Sequence, residues 1–227
     1  MTKKLQEKID AAIDLYFNGK SKEALISIEV LITDHPGEVM LLNIQGACFV
    51  ELGQLNKAIK SYEKALTIKP DYAEAHNNLG NALKTQGQLT NAVNSYEKAL
   101  SIKPDFAEAF NNLGFTLKEL GQLDTAVKSY EMILKMKPDF AEAHYNLGTA
   151  LQELRKLDTA IQSYENALTI KPDYFEAYYS LGTIFHERNQ LSTAVKNYEK
   201  AIVIKPDYAE AHNNLGTIMV ELGRVDE

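Results

Sequence analysis

KPDYAEAHNNLG occupies Lys69–Gly80 and returns letter for letter at Lys205–Gly216. Three variants lie between the copies: KPDFAEAFNNLG (103–114), KPDFAEAHYNLG (137–148) and KPDYFEAYYSLG (171–182). Each begins 34 residues after the last, and self-similarity at a fixed period marks stacked supersecondary units. The helix breakers keep the same beat. All six prolines (Pro36, Pro70, Pro104, Pro138, Pro172, Pro206) share one register. Gly46, Gly80, Gly114, Gly148, Gly182 and Gly216 share a second, and Gly19, Gly53, Gly87, Gly121 and Gly223 a third. The units are 5–38, 39–72, 73–106, 107–140, 141–174 and 175–208, with half a unit at 209–227, one array over 1–227.

Within a unit the apolar spacing predicts two helices. In 73–106, Ala75, His76, Leu79, Gly80, Ala82 and Leu83 form one helical stripe. Gly87 stands where a left-handed C′ residue would stop that helix. A second helix from about Thr90 puts Ala92, Val93, Tyr96, Ala99 and Leu100 inward and ends before Pro104. Asp105 is expected to cap the next helix, with Glu108 completing a D-x-x-E variant of the capping box. Gly80 and its equivalents lie mid-helix, at about 1 kcal/mol each against alanine. That repeated cost predicts a close helix approach. Neither helix can bury its stripe alone, so the pairs must stack.

Composition removes several function classes. Charged residues make 24% of the 227, and the net charge of −7 comes without a Lys/Arg run, which argues against a nucleic-acid or anionic-membrane partner. No apolar run approaches a membrane span. MTKKLQEKID opens directly on an amphipathic pattern without a signal-peptide core, and Cys48 has no partner for an internal disulfide. A cytoplasmic location is expected. His76, His144 and His212 are spaced by whole units, about 20 Å apart in a stack, too far for one metal. No catalytic, cofactor or metal constellation leaves the repeat register, so no enzyme activity is expected of this segment.

The residues resemble the tetratricopeptide repeat family, whose 34-residue pattern is met by His76, Leu79, Gly80, Leu83, Ala92, Tyr96, Ala99 and Pro104. The unit 141–174 matches equally, with His144, Leu147, Gly148, Leu151, Ala160, Tyr164, Ala167 and Pro172. Departures are local: Ala11-Ala12 replaces Leu-Gly in the first unit, Arg155 and Asn189 replace the turn glycine, and Ile133 replaces a small alanine. The resemblance implies an all-α, right-handed superhelical α-solenoid whose first helices line a concave, peptide-binding face.

By the same resemblance, that face takes the second, fifth, sixth, ninth, twelfth and thirteenth places of each unit. These supply Asn77, Asn78, Asn81 and Lys84, then Asn111, Asn112 and Lys118, then Tyr145 and Asn146, then Tyr179, Ser180 and His186, and finally Asn213 and Asn214. A carboxamide offers donors and an acceptor that match an extended peptide backbone. With units repeating at about 10 Å and an extended chain advancing ~3.3 Å per residue, one asparagine per unit can hold every third residue. Such a ladder is similar to the repeat arms of protein O-GlcNAc transferases. A second reading stays open, in which the asparagines bridge units and fix superhelical twist. Glutamates at the second and thirteenth places favour a basic partner. The carboxylate-clamp variant of the family is not expected, because its cationic places read Asn77, Glu142 and Asn146.

The function implied is a scaffold binding an extended peptide or flexible protein segment. The alternative is the recognition arm of a longer enzyme, since similar bacterial arrays precede sulfotransferase or glycosyltransferase domains. In ELGRVDE, Asp226 resembles the start of a helix that would continue the array. Helix 209–222 is expected to expose Leu215, Ile218, Met219 and Leu222 and to form weak dimers. The first unit is expected to be polar at its outer edge (Lys3, Lys4, Gln6, Glu7, Lys8).

Overall fold

The computed structural model describes residues 3–223, with side chains from Leu5 onward. Asp226 and the side chains of Lys3 and Lys4 lie outside the described residues. Among the described residues the chain is thirteen α-helices joined by turns. Chain contacts divide it into two compact units, Met1–Leu120 and Gly121–Glu227.

The first unit holds α1 (Lys3–Phe17), α2 (Ser21–Asp34), α3 (Val39–Glu51), α4 (Leu55–Ile68), α5 (Ala73–Thr85), α6 (Leu89–Ile102) and α7 (Ala107–Glu119). Successive helices pack together, and α1 also touches α3, α3 touches α5 and α5 touches α7. The first helices of the pairs therefore share one side of this stack. The second unit holds α8 (Leu123–Met136), α9 (Ala141–Glu153), α10 (Leu157–Ile170), α11 (Phe175–Glu187), α12 (Leu191–Ile204) and α13 (Ala209–Glu221). Its neighbours pack likewise, with α11 against α13. Both units are all-α solenoid stacks of helix pairs.

The mid-helix glycines are explained by tyrosine. A Cβ on Gly80 would lie 2.5 Å from the Tyr96 ring, on Gly148 2.7 Å from Tyr164, and on Gly182 2.6 Å from Tyr198. Gly46 receives Tyr62 in the same way. Each ring comes from the second helix of the pair, is buried, and lies against the first helix's backbone. Only hydrogen in place of a methyl permits that approach.

Turns follow the breakers. Gly87 has φ +81°, and Gln88 N–H donates to the Leu83 carbonyl at 2.9 Å while Gly87 N–H donates to Lys84, a Schellman ending. Arg155 and Asn189 adopt the same left-handed conformation at φ 61° and 57° without being glycine.

The expected aspartate caps are corrected. Phe106 is the residue before α7, and no side chain bonds the helix start. Asp105 sits one residue too early. Lys103-Pro104-Asp105-Phe106 instead forms a β-turn, the Phe106 N–H donating to the Lys103 carbonyl at 3.1 Å, with proline at the second position. The same closure recurs at Phe140, Tyr174 and Tyr208. At α5 the glutamate does part of the capping. Burial disfavours the Glu74 carboxylate, but its own backbone N–H and Lys103 at 3.1 Å outweigh that and hold its pKa below the ordinary value.

Two surface expectations also change. Ile218 is buried, because α13 turns it into a cluster with Ala194, Tyr198, Ala201 and Ala211. Leu215 and Met219 are half-buried, while Val220 and Leu222 are exposed. At the other end, Gln6 is half-buried and Glu7 and Lys8 are exposed. The first pair nevertheless exposes Ile26 and Val30 on α2.

Candidate functional site

In the first unit the candidate side chains share the first-helix side. Asn77 is buried, at 1% exposure. Its amide nitrogen donates to Glu108 Oε1 at 2.9 Å, and its oxygen accepts from Asn112 Nδ2 at 3.0 Å. One repeat earlier in the same register, Asn78 Nδ2 donates to Asn43 Oδ1 at 3.0 Å. Both bonds link residues 35 apart, so asparagines do stitch neighbouring helix pairs. Each stitch uses one of two N–H donors on Asn78 or Asn112. The carbonyl oxygen and the second N–H are not used by it.

Asn81 accepts from the Tyr96 hydroxyl at 2.8 Å. Lys84 and Lys118 place their ammonium groups 4.3 and 5.9 Å from the Phe115 ring centroid, an arrangement held by the ring's negative face. Phe115 is itself 39% exposed, and sequence reasoning missed it. The signal was available: it stands where Asn81 stands one unit earlier. Asn111 is half-buried.

In the second unit the fifth place is aromatic at Tyr145 and Tyr179 and returns to asparagine at Asn213. The Tyr145 ring lies 4.9 Å from Tyr174 and 5.7 Å from Tyr164. Tyr179 lies 5.0 Å from Tyr208 and 5.8 Å from Tyr198. Asn214 Nδ2 donates to the Tyr179 hydroxyl at 3.2 Å, the counterpart of the Asn112–Asn77 bond. Burial raises the Tyr145 pKa and pushes Tyr198 up to about 12, with partial offsets from Ser180 and Asn214 respectively. These hydroxyls act as neutral hydrogen-bonding groups at neutral pH. Ser180 is buried, Asn146 is half-buried and Asn213 is exposed.

The acidity expected of this face is partly spent inside the protein. Glu187 pairs with Arg155 at 2.9 Å, and His186 Nε2 lies 3.4 Å from both Glu221 oxygens. His76, His144 and His212 each place Nε2 2.9 Å from the carbonyl of the preceding Pro70, Pro138 or Pro206. A carbonyl only accepts, so Nε2 carries the hydrogen and the ring fastens the turn to the helix. Among the described residues no group of His, Cys, Asp and Glu is arranged to hold a metal, and no helix is long and apolar enough to cross a membrane.

A second polar feature was also missed. Asn91 donates to Gln88 at 2.8 Å, Gln88 to Gln86 at 2.6 Å, and Gln86 to Asn56 at 2.5 Å. This file of amides lines a recess of about 600 Å³ between α4 and α6. Gln86 occupies a place that reads Leu52, Leu120, Leu154 and Leu222 in four units and is polar at Asn18 and Arg188.

The family model described as TPR repeat matches residues 46–87, 80–121, 116–155 and 182–223. Two models described as tetratricopeptide repeat match 141–174 and 163–196. This chain belongs to the tetratricopeptide repeat family. A search of curated proteins finds no match. Among solved structures, MamA is 27% identical, with 73% of this chain and 96% of that chain covered and a TM-score of 0.69. YrrB, a TPR protein described as having an unusual peptide-binding site, is 22% identical over 82% of this chain and 96% of its own, with a TM-score of 0.71. PilF of Pseudomonas aeruginosa is 16% identical over 96% and 97%, with a TM-score of 0.79. The last two likenesses concern the fold.

Proposed function

We propose that this tetratricopeptide array is a protein-interaction scaffold whose first-helix face holds an extended peptide or flexible segment. The observation that carries this reading is the half-used asparagine. Asn78 and Asn112 are fixed in orientation by one bond to a neighbouring pair and keep the remaining amide functions for a peptide backbone. Pre-fixed side chains lose less rotamer freedom on binding. YrrB, built on the same fold, is described as carrying a peptide-binding site, which supports the reading by analogy. A basic segment suits the remaining carboxylates, and a cytoplasmic setting suits Cys48, whose buried thiol is pushed up to about 11 chiefly by desolvation, with Glu51 adding to it.

Self-association through α13 is a lesser part of the reading. Gly216 has nothing within 4 Å where Gly46, Gly80, Gly148 and Gly182 carry tyrosine rings, and Leu222 is 42% exposed.

Peptide selection from a displayed library, followed by calorimetry with Asn112→Ala/Asn146→Ala, tests the main proposal. Affinity for a selected peptide is expected to fall about tenfold or more, the share of two lost backbone hydrogen bonds. Unchanged affinity with a lowered melting temperature would mean that these asparagines serve only the stack.

A further inference from the structure

Helix α2 differs from every other second helix on its outward stripe. Lys22, Ile26, Val30 and Asp34 follow one another at four-residue spacing and so share a face. Ile26 is 66% exposed and Val30 60%. The same two places read Lys60/Lys64, Asn94/Lys98, Lys128/Met132, Gln162/Asn166 and Lys196/Lys200 in the other units. A third departure adjoins them. Ala11 on α1 stands where Gln45, Leu79, Leu113, Leu147, Leu181 and Leu215 stand elsewhere. The shorter side chain leaves an apolar groove of about 380 Å³ between α1 and α2, lined by Ala11, Leu15, Ile26, Val30 and Leu31 with Lys8 at its rim. Exposed branched apolar side chains beside an apolar recess are the makings of a docking surface.

We propose that a second copy of this chain docks here, α2 against α2 in an antiparallel, two-fold contact. The charge pattern selects that occupant. With the two-fold axis passing midway between Ile26 and Val30, Ile26 meets Val30 of the second copy, and Lys22 meets Asp34 of the second copy. Both pairings occur twice by symmetry, as a closed isologous contact requires. Sliding the helices by one turn in one direction sets Lys22 on Val30, and in the other direction sets Asp34 on Ile26. Each slip exchanges apolar contact for a desolvated, unpaired charge. The stripe is thus complementary to itself in one register, and the groove left by Ala11 gives the incoming Ile26 and Val30 room to pack. This contact is separate from the peptide-holding face and from α13, so it stands or falls independently of both.

Sedimentation equilibrium of the full chain over a concentration series tests it. The wild type is expected to show a monomer–dimer equilibrium. Ile26→Lys/Val30→Lys installs the pair found at Lys60 and Lys64, so helicity and melting temperature should hold. Its dimer dissociation constant should rise by about tenfold or more, as for removal of a central apolar contact. Lys22→Asp and Asp34→Lys should each weaken the dimer, and the two together should restore it. A wild type that stays monomeric throughout overturns the proposal. So does a dimer indifferent to Ile26→Lys/Val30→Lys, including one lost only on Leu222→Lys. Failure of the double charge exchange to restore association overturns the antiparallel register.

Discussion

The fifth place of the repeat is filled in two ways. In the first unit Asn77 is buried and closes a polar chain with Glu108 and Asn112. In the second unit Tyr145 and Tyr179 hold that place and build ring clusters. The helices around them are alike, with the same lengths and the same tyrosine-on-glycine packing. A buried amide needs a directed partner for each polar atom, so it recruits specific neighbours. A tyrosine gains mainly by area and ring contact and needs a partner only for its hydroxyl. One backbone therefore carries two kinds of fifth-place surface, an amide chain around Asn77 and phenol rings around Tyr145 and Tyr179.

The largest expected effects test what the two regions share. Tyr96→Ala and Tyr198→Ala should each cost about 4 kcal/mol in urea denaturation, through lost burial and a cavity beside glycine. Unequal losses would break the claim of a common core. Next come the fifth-place residues themselves. Tyr179→Ala should cost about 3 kcal/mol, and Tyr179→Phe about 1 kcal/mol, for the bond from Asn214. Asn77→Ala should cost about 2 kcal/mol, because Asn112 and Glu108 each lose a partner. If Asn77→Ala is neutral, the polar chain is no counterpart to the ring cluster.

A smaller effect should be stabilising. Asn189→Gly relieves a left-handed backbone at φ 57° and should add about 0.5 kcal/mol, seen as a higher melting temperature. The smallest concerns pH. Glu74 has a lowered folded pKa, so its contribution is present above the unfolded carboxylate value and is lost as pH falls through the folded one. Lys103→Met should raise the Glu74 pKa in an NMR titration. An unmoved value would assign the shift to the backbone N–H and Lys69.

Much of the molecule is legible because its signals are local. Proline, the turn glycines and the apolar stripe fix where helices stop, and even the departures Arg155 and Asn189 keep the turn's left-handed geometry. The aspartate caps were misread because the Lys-Pro-Asp-Phe turn uses backbone bonds that the D-x-x-E spacing does not reveal. The candidate face was legible by position and not by role. Asn77 falls on the fifth place and Asn78 and Asn112 on the sixth, yet only the structure separates the buried amide from the half-used ones.

The sequence by itself determined the period, the helix pairs, their stacking and the need for close approach at Gly80 and its equivalents, since each depends on residues within one turn or one unit. Tertiary structure alone decided that a tyrosine ring fills that approach, that Asn112 reaches Asn77, that α13 buries Ile218, and that Ala11 opens a groove beside Ile26. Those outcomes join side chains on different helices, and the small offsets between packed helices decide which atoms come within a hydrogen bond or a van der Waals radius of each other.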